Sequence, residues 1–213
     1  MNNPADVKAL GAVTYPAEGP PRALLVLAHG AGAGQKHPFM VATARGLAAR
    51  GLDVVTFDFP YMARGRGGPD RPPVLEQSFR DVIAAARTWS RADRLFIGGK
   101  SMGGRMATHL GAQALPGLHG IVVLGYPLHP PGKPQQLRVA HLPSIDVPVL
   151  IVQGERDAFG TPDEFTAHLE TMKAKVTLHA IQGADHSLTV RGAKGQGVHD
   201  SILDTIVKWM PAA

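Results

Sequence analysis

Six short apolar segments, separated by stretches of helical periodicity, are the feature that most limits how this chain can fold. Each is dense in Val, Ile or Leu and lacks the polar alternation of a half-exposed strand; they are residues 23–30, 52–59, 94–99, 120–127, 147–154 and, less apolar than the others, 175–183. Such runs are typical of strands buried on both faces of a parallel sheet. Residues 7–17 predict an additional strand at the sheet edge.

Helical patterns fill the intervals between these segments. One apolar stripe has members three and four residues apart: Leu75, Phe79, Val82, Ile83, Ala86 and Trp89. Residues 39–50 repeat the pattern more weakly, and residues 199–210 predict a last helix. Thr161 and Glu164, with Pro162 between them, form the capping-box pattern that begins a helix.

Strand–helix alternation over the whole chain predicts an α/β fold with a doubly wound, mostly parallel sheet of about 6–7 strands flanked by helices. No internal repeat, low-complexity tract or change of composition divides the sequence, so we expect one domain over residues 1–213. Ligands of such folds bind beyond the carboxyl ends of the strands. Candidate functional residues are therefore sought there.

The stretch RLFIGGKSMGGR, residues 94–105, contains two overlapping signatures. A phosphate-binding loop requires glycine five residues before Gly99, where the chain has Arg94, and the residues between continue a strand. The other signature, G-x-S-x-G around Ser101, requires a strand, a sharp turn that exposes the serine, and a helix. Residues 95–98 predict the strand, and Met106, Ala107 and Leu110 give the helical face. Ser101 is therefore the candidate nucleophile.

A second glycine cluster, HGAGAGQ at residues 29–35, fails the dinucleotide-binding pattern G-x-G-x-x-G in both registers. The segment fits a tight turn between a strand and a helix. It also fits an oxyanion hole, which requires two backbone N–H groups that face a developing negative charge. We assign these groups to Met102, the residue after the nucleophile, and to Ala31, with Gly32 as the alternative; the turn and the oxyanion hole are compatible.

Asp157 and His186 follow two later strands, in the order Ser, acid, His that accompanies this type of nucleophile. His186 would deprotonate the serine, and Asp157 would orient the imidazole and stabilise its cation. An aspartate after a strand is also a common helix cap or turn residue. Glu155 and Asp163 are competing acids, although Asp163 lies in the capped first turn of a helix and Glu155 is nearer the strand.

Composition excludes several classes of function. The chain has no cysteine, which removes disulfides, thiolate metal sites and a cysteine nucleophile. Residues 1–10 lack the features of a signal peptide, and no apolar run reaches the about 18 residues of a membrane helix, so we expect a soluble, cytoplasmic protein. The net charge is +5, but the basic residues are scattered and aromatic residues are few, which disfavours nucleic-acid binding. No metal-ligand motif or cofactor motif is present in the sequence.

The elbow motif, the order of Ser101, Asp157 and His186, and the proline-rich stretches at residues 57–73 and 125–134 resemble the α/β-hydrolase superfamily. The two stretches resemble its compact dienelactone-hydrolase-like subgroup, which is related to the hydrolase-like domain of a subunit of the non-specific lethal chromatin complex. True dienelactone hydrolases use a cysteine nucleophile, so Ser101 argues against that reaction. Many relatives insert a helical lid after the fifth strand; residues 128–146 are too short for a large one, so we expect an open, shallow site.

The resemblance implies a serine hydrolase that cleaves an ester, a thioester or another acyl bond of a small molecule through an acyl-enzyme, without a metal or cofactor. The alternative is a catalytically silent protein that uses the hydrolase fold as a binding module or scaffold. Basic side chains near the site either form a rim that favours anionic esters or are ordinary solvated charges: Arg64, Arg66, Lys100 and Arg105. His129 either lines the site or belongs to a surface loop.

Overall fold

The computed structural model describes residues 4–65, 68–192 and 195–210. Its strands are β1 Val13–Tyr15, β2 Ala23–Ala28, β3 Leu52–Phe57, β4 Leu95–Lys100, β5 Leu118–Leu124, β6 Val149–Gly154 and β7 Val176–Ile181. Its helices are α1 Pro4–Ala9, α2 Pro38–Ala48, α3 Pro60–Ala63, α4 Pro72–Trp89, α5 Met102–Ala112, α6 Pro162–Leu169 and α7 Gly195–Trp209, with a 3₁₀ turn at Leu142–Ser144.

The strands form one sheet in the order β1-β3-β2-β4-β5-β6-β7. The edge strand β1 pairs antiparallel to β3, and every other pair is parallel. Strands β2 to β6 are buried almost throughout, which explains their continuous apolar sequences. The predicted fold class is confirmed, including the six apolar strands and an edge strand. The edge strand is shorter than the predicted residues 7–17, because residues 7–9 belong to α1 and the chain turns at Gly11, whose φ is 69°.

Each face of the sheet carries its own apolar core, because successive strand residues point to opposite sides. On β2, Leu24 and Val26 belong to the core that also contains residues of α4, α5 and α6, whereas Leu25 and Leu27 belong to the core that contains residues of α2 and α7. The stripe predicted for α4 lies on its buried side. The capping box at the start of α6 is confirmed, since Glu164 N donates to Thr161 Oγ1 over 3.3 Å and Thr161 N donates to Glu164 Oε2 over 2.7 Å.

The segment between β5 and β6, residues 125–148, is described in full and contains only the 3₁₀ turn as regular structure. It forms no lid helix, as its length predicts. Among the described residues, no helix is long and apolar enough to cross a membrane.

Helix α5 approaches β2 and β4 so closely that two positions admit no side chain. A Cβ on Gly103 would lie 2.4 Å from the Ala28 carbonyl oxygen and 2.6 Å from that of His29. A Cβ on Gly99 would lie 2.5 Å from the Ala28 carbonyl oxygen and 2.5 Å from the Gly103 carbonyl carbon. The opposing atoms are backbone, which cannot rotate away as a side chain can. Glycine at both positions therefore permits the turn between β4 and α5.

Gly103→Ala should lower the free energy of unfolding by about 3 kcal/mol, because α5 must move away from β2 to admit the methyl group. The control is Gly197→Ala in α7, where a Cβ meets no atom within 4 Å. Alanine there should raise the free energy of unfolding by up to about 1 kcal/mol through helix propensity alone. Urea denaturation of both variants measures the difference, and equal effects would contradict the close approach.

Candidate active site

Ser101 occupies a strained turn between β4 and α5. Its φ of 50° and ψ of −114° are rare for a residue with a side chain. Ser101 N donates to the Leu124 carbonyl oxygen over 3.0 Å, which ties the turn to the end of β5. Ser101 directly precedes α5, so its hydroxyl lies at the amino-terminal end of a helix whose free N–H groups favour negative charge.

A chain of two hydrogen bonds joins Ser101, His186 and Asp157. The serine Oγ lies 2.8 Å from His186 Nε2, and His186 Nδ1 lies 2.7 Å from Asp157 Oδ2. A carboxylate only accepts, so Nδ1 carries the proton and Nε2 accepts from the hydroxyl. A hydroxyl, an imidazole and a carboxylate in this order can transfer a proton and generate a nucleophilic oxygen.

The Asp157 side chain is fully buried, and both of its carboxylate oxygens accept hydrogen bonds. Gln153 Nε2 donates to Oδ2 over 2.9 Å, and Phe159 N donates to Oδ1 over 2.8 Å. Gln153 also accepts from Tyr126 N over 2.8 Å and donates to the Gly160 carbonyl oxygen over 2.7 Å, which joins the loops after β5 and β6. Three donors, including His186, fix the carboxylate in one orientation.

The competing acids have other partners. Glu155 Oε2 accepts from Gly183 N over 2.8 Å, and Asp163 lies in the first turn of α6. Asp185 Oδ1 accepts from Ser187 N over 2.9 Å and from Thr189 N over 3.2 Å. Asp185 thus shapes the turn that presents His186, while Asp157 alone among these four acids contacts the imidazole.

The loop after β2 passes beside the serine. A Cβ on Gly30 would lie 3.6 Å from the Cβ of Ser101. His29 is buried at the end of β2; its Nδ1 donates to the Gly30 carbonyl oxygen over 2.7 Å and its Nε2 accepts from Phe59 N over 3.0 Å. Burial lowers the pKa of His29, which keeps this ring neutral and able to accept at Nε2.

Tyr61 fixes the far side of this loop. Its hydroxyl donates to the Ala31 carbonyl oxygen over 2.8 Å, and burial raises the pKa of Tyr61 to about 12. Asp58 Oδ1 accepts from Gln35 N over 2.7 Å farther along the loop. Ala31, Gly32 and Met102 all border the cavity that contains Ser101. The structure thus brings both segments assigned to the oxyanion hole to the serine.

A cavity of about 570 Å³ opens over Ser101 and His186, a size typical of small-molecule sites. Of the predicted rim residues, Lys100 and Arg105 line it. Arg64 does not; it forms an ion pair with Asp70 at 2.7 Å. Arg66 lies outside the described residues.

His129 is buried away from the cavity. Its ring nitrogens contact the Pro130 carbonyl oxygen at 2.8 Å and Glu164 Oε1 at 3.3 Å.

Sequence reasoning missed four residues that shape the site: Tyr61, Gln153, Phe159 and Arg138. The Phe159 ring packs against the His186 imidazole, with centroids 4.1 Å apart and planes inclined by 31°. Gln153 is the one polar side chain in the apolar run of β6, and that position in a buried strand was an available signal. Arg138 borders the cavity from an irregular segment whose sequence gives no such signal.

Lys100 ends β4, and its ammonium donates to the backbone carbonyl oxygen of His186. Burial lowers the pKa of Lys100 from 10.5 to about 8, although the negative charges of Asp157 and Asp185 act in the opposite direction. The ammonium therefore supports the turn that carries His186 from beneath the cavity. Its charge also contributes to the positive potential around the site.

Lys100 should make the protein more stable as pH rises from about 8 to about 10. The lysine of the unfolded chain titrates near 10.4, so over this range the unfolded state binds more protons than the folded state and the free energy of unfolding increases, by about 2 kcal/mol. Above pH 10 the raised pKa of Tyr61 acts in the opposite direction. Urea denaturation at several pH values should show this rise in the wild type and not in Lys100→Met. If the free energy of unfolding rose equally with pH in both proteins, the rise could not be assigned to Lys100.

Among the described residues, no group of three or more His, Asp or Glu side chains is placed to hold a metal ion.

Comparison with solved structures finds close likeness in fold. An alpha-beta serine hydrolase homologue from Coxiella burnetii superposes with a TM-score of 0.73 at 16% identity, over 94% of this chain and 91% of that one. A dienelactone hydrolase from Anabaena variabilis superposes with a TM-score of 0.72 at 17% identity, over 93% of this chain and 89% of that one.

A serine hydrolase of Xanthomonas campestris, described as lacking a lid, gives a TM-score of 0.72 at 19% identity over 95% of this chain and 90% of that one. At these identities the likeness concerns the fold. A family model described as an alpha/beta hydrolase domain matches residues 21–211, nearly the whole chain. The sheet order and the serine turn after β4 agree with this match, and the chain belongs to the alpha/beta hydrolase family.

Proposed function

We propose that this protein is a serine hydrolase that cleaves a carboxylic ester or thioester of a small molecule through an acyl-enzyme. The observation that carries the proposal is the hydrogen-bonded chain Ser101–His186–Asp157, which lies at the floor of a cavity with its serine in a strained turn. A protein that used the fold only as a scaffold would not require these three side chains to be aligned.

In the first half of the reaction, His186 Nε2 takes the Ser101 proton as Oγ bonds to the substrate carbonyl carbon. Asp157 holds the imidazolium that forms. The backbone N–H groups of Met102 and Ala31, with Gly32 as the alternative to Ala31, stabilise the negative oxygen. The carbonyl re-forms, the bond to the alcohol or thiol breaks, and His186 gives the leaving group its proton.

In the second half, His186 deprotonates a water molecule whose oxygen attacks the acyl carbon. The bond to Ser101 Oγ breaks and the serine regains its proton from the imidazolium. The balance is one ester or thioester and one water consumed, and one carboxylic acid and one alcohol or thiol released. Each proton passes through His186, so the sequence of steps requires no further acid or base.

Two narrower expectations stay predictions. One is the relation to the hydrolase-like domain of the chromatin-complex subunit, and the other is the cytoplasmic location. Neither affects the chemistry proposed for Ser101.

Incubation with a fluorophosphonate should give one covalent adduct, seen by intact-mass spectrometry. Ser101 Oγ bonds to phosphorus and fluoride leaves, so the mass rises by that of the probe less hydrogen fluoride. Ser101→Ala should give no adduct and should lose about 10⁴-fold or more in kcat on a short-chain ester. An unmodified wild type that is folded by circular dichroism would favour the scaffold alternative.

Asp157→Ala should lower kcat by about 10⁴-fold, because the imidazole loses the partner that sets its tautomer and orientation. The matched control is Glu155→Ala, which removes a carboxylate from the same loop; Glu155 bonds to Gly183 N and not to the imidazole. Its kcat should change by less than about tenfold. Steady-state kinetics on one ester compares the two variants, and the reverse order of effects would reassign the acid.

A further inference from the structure

Four charged side chains other than His186 and Asp157 border or approach the cavity: Asp70, Lys100, Arg105 and Arg138. Two of them already have partners. Asp70 pairs with Arg64, and the Lys100 ammonium donates to the His186 carbonyl oxygen. No acidic side chain among the described residues forms an ion pair with Arg105 or Arg138. The cavity therefore has an unneutralised positive side.

Arg105 lies one helical turn beyond the serine, and its backbone N–H donates to the Ser101 carbonyl oxygen over 3.0 Å. Its side chain borders the same cavity as Ser101, about one helical turn, or about 5.4 Å, farther along α5. Its Nε is buried and has no hydrogen-bond partner within the described part of the chain. A buried donor of a charged group without a partner is costly and uncommon in folded proteins. The Arg105 side chain nevertheless borders the cavity, so a ligand there can approach the part of the guanidinium that is not buried.

Arg138 approaches the cavity from the segment between β5 and β6. Its backbone is fixed on both sides, because Arg138 N donates to the Leu128 carbonyl oxygen over 2.8 Å and the Tyr126 hydroxyl donates to the Arg138 carbonyl oxygen over 2.6 Å. Among the described residues, the guanidinium has one hydrogen bond, to a neutral acceptor: Nη1 donates to the Pro127 carbonyl oxygen over 3.3 Å. Burial, and then the positive charge of Arg105, lower the pKa of Arg138.

The charges packed around the two arginines do not neutralise them. Glu76 accepts from His109 Nδ1 and Gln113 Nε2, each over 2.9 Å. Burial, then the charges of His109 and Arg105, lower the pKa of His141 to about 4, so this ring is neutral at pH 7. Two like charges that face one cavity repel each other, and an anion between them removes the repulsion.

We propose that Arg105 and Arg138 form a subsite for a carboxylate of the substrate, so that the enzyme acts on esters or thioesters with a free carboxylate in the acyl or the alcohol part. This assignment rests on the proposed function. Guanidinium groups present planar sets of N–H donors that match a carboxylate. One carboxylate between the two side chains would neutralise the repulsion between the arginines. Arg105 lies about one helical turn from Ser101, the residue that would attack the bond to be cleaved.

The test compares two pairs of esters that differ only in a terminal carboxylate. The acyl pair is 4-nitrophenyl hydrogen adipate against 4-nitrophenyl hexanoate, and the alcohol pair is 4-carboxyphenyl butyrate against phenyl butyrate. In one pair the wild type should prefer the carboxylate by about 10- to 100-fold in kcat/KM, mainly through KM. Arg105→Gln and Arg138→Gln should each lower kcat/KM for the carboxylate ester of that pair more than for the neutral ester, and so remove most of this preference.

Arg87→Gln is the matched control, because it removes the same charge by the same substitution. Arg87 donates to the Pro116 carbonyl oxygen over 3.0 Å near the end of α4, about 20 Å along the helix from the cavity. It should keep the wild-type preference. A wild type that hydrolyses the neutral esters equally well, or a preference that survives in both glutamine variants, would overturn the subsite. Stronger selection of a phosphate-bearing ester over the carboxylate would overturn the carboxylate assignment.

A binding experiment separates failure of the subsite from failure of the proposed function. Calorimetry with Ser101→Ala, which cannot turn over substrate, should show monomethyl adipate, which keeps one free carboxylate, binding at least about tenfold more tightly than the neutral methyl hexanoate. Arg138→Gln in the Ser101→Ala background should remove this difference. If the wild type hydrolyses none of the four esters while this selectivity is observed, the hydrolase proposal fails and the carboxylate subsite stands. Equal binding of the two methyl esters overturns the subsite whatever the enzyme hydrolyses.

Discussion

The close approach of α5 to the ends of β2 and β4 is the constraint on which the site depends. Hydrogen is the only side chain that fits at Gly99 and Gly103, since a Cβ at either would collide with backbone of Ala28. This contact allows the chain to reverse at Ser101 with a positive φ. The strain is maintained by packing on both sides of the turn, and it leaves the hydroxyl at the amino-terminal end of a helix, where negative charge is favoured.

The rest of the site is held by buried polar groups that satisfy one another. Gln153 binds the loop after β5, the acid of the next loop and the backbone beyond it, so one amide aligns three segments. A buried carboxylate is tolerated because Asp157 accepts hydrogen bonds from Gln153, Phe159 and His186. Such networks are rigid when every member has a partner, which suits a proton-transfer site that must keep its geometry.

Charge around the cavity is arranged differently from charge around the acid. Asp157 is surrounded by donors, and Lys100 is used to support the His186 turn despite the cost of burying its ammonium. Arg105 and Arg138, in contrast, face the cavity without a counter-charge in the described part of the chain. Groups left unsatisfied beside a well-satisfied proton-transfer chain point to the substrate as the missing partner.

The sequence by itself determined the α/β fold class, the buried strands, the longer helices, and the candidate residues Ser101, Asp157 and His186, because hydrophobic periodicity and turn chemistry are local properties. The short helices α1 and α3 are too short for such periodicity, and residues 7–9 lie in α1 although the sequence predicts a strand there. Tertiary structure decided which acid meets the imidazole, since Glu155 and Asp157 occupy the same loop and differ only in where their side chains point. It also decided which cations reach the cavity. Arg64 pairs with a neighbour while Arg138 arrives from a distant segment, and contacts between residues far apart in the chain leave no periodic signal in a single sequence.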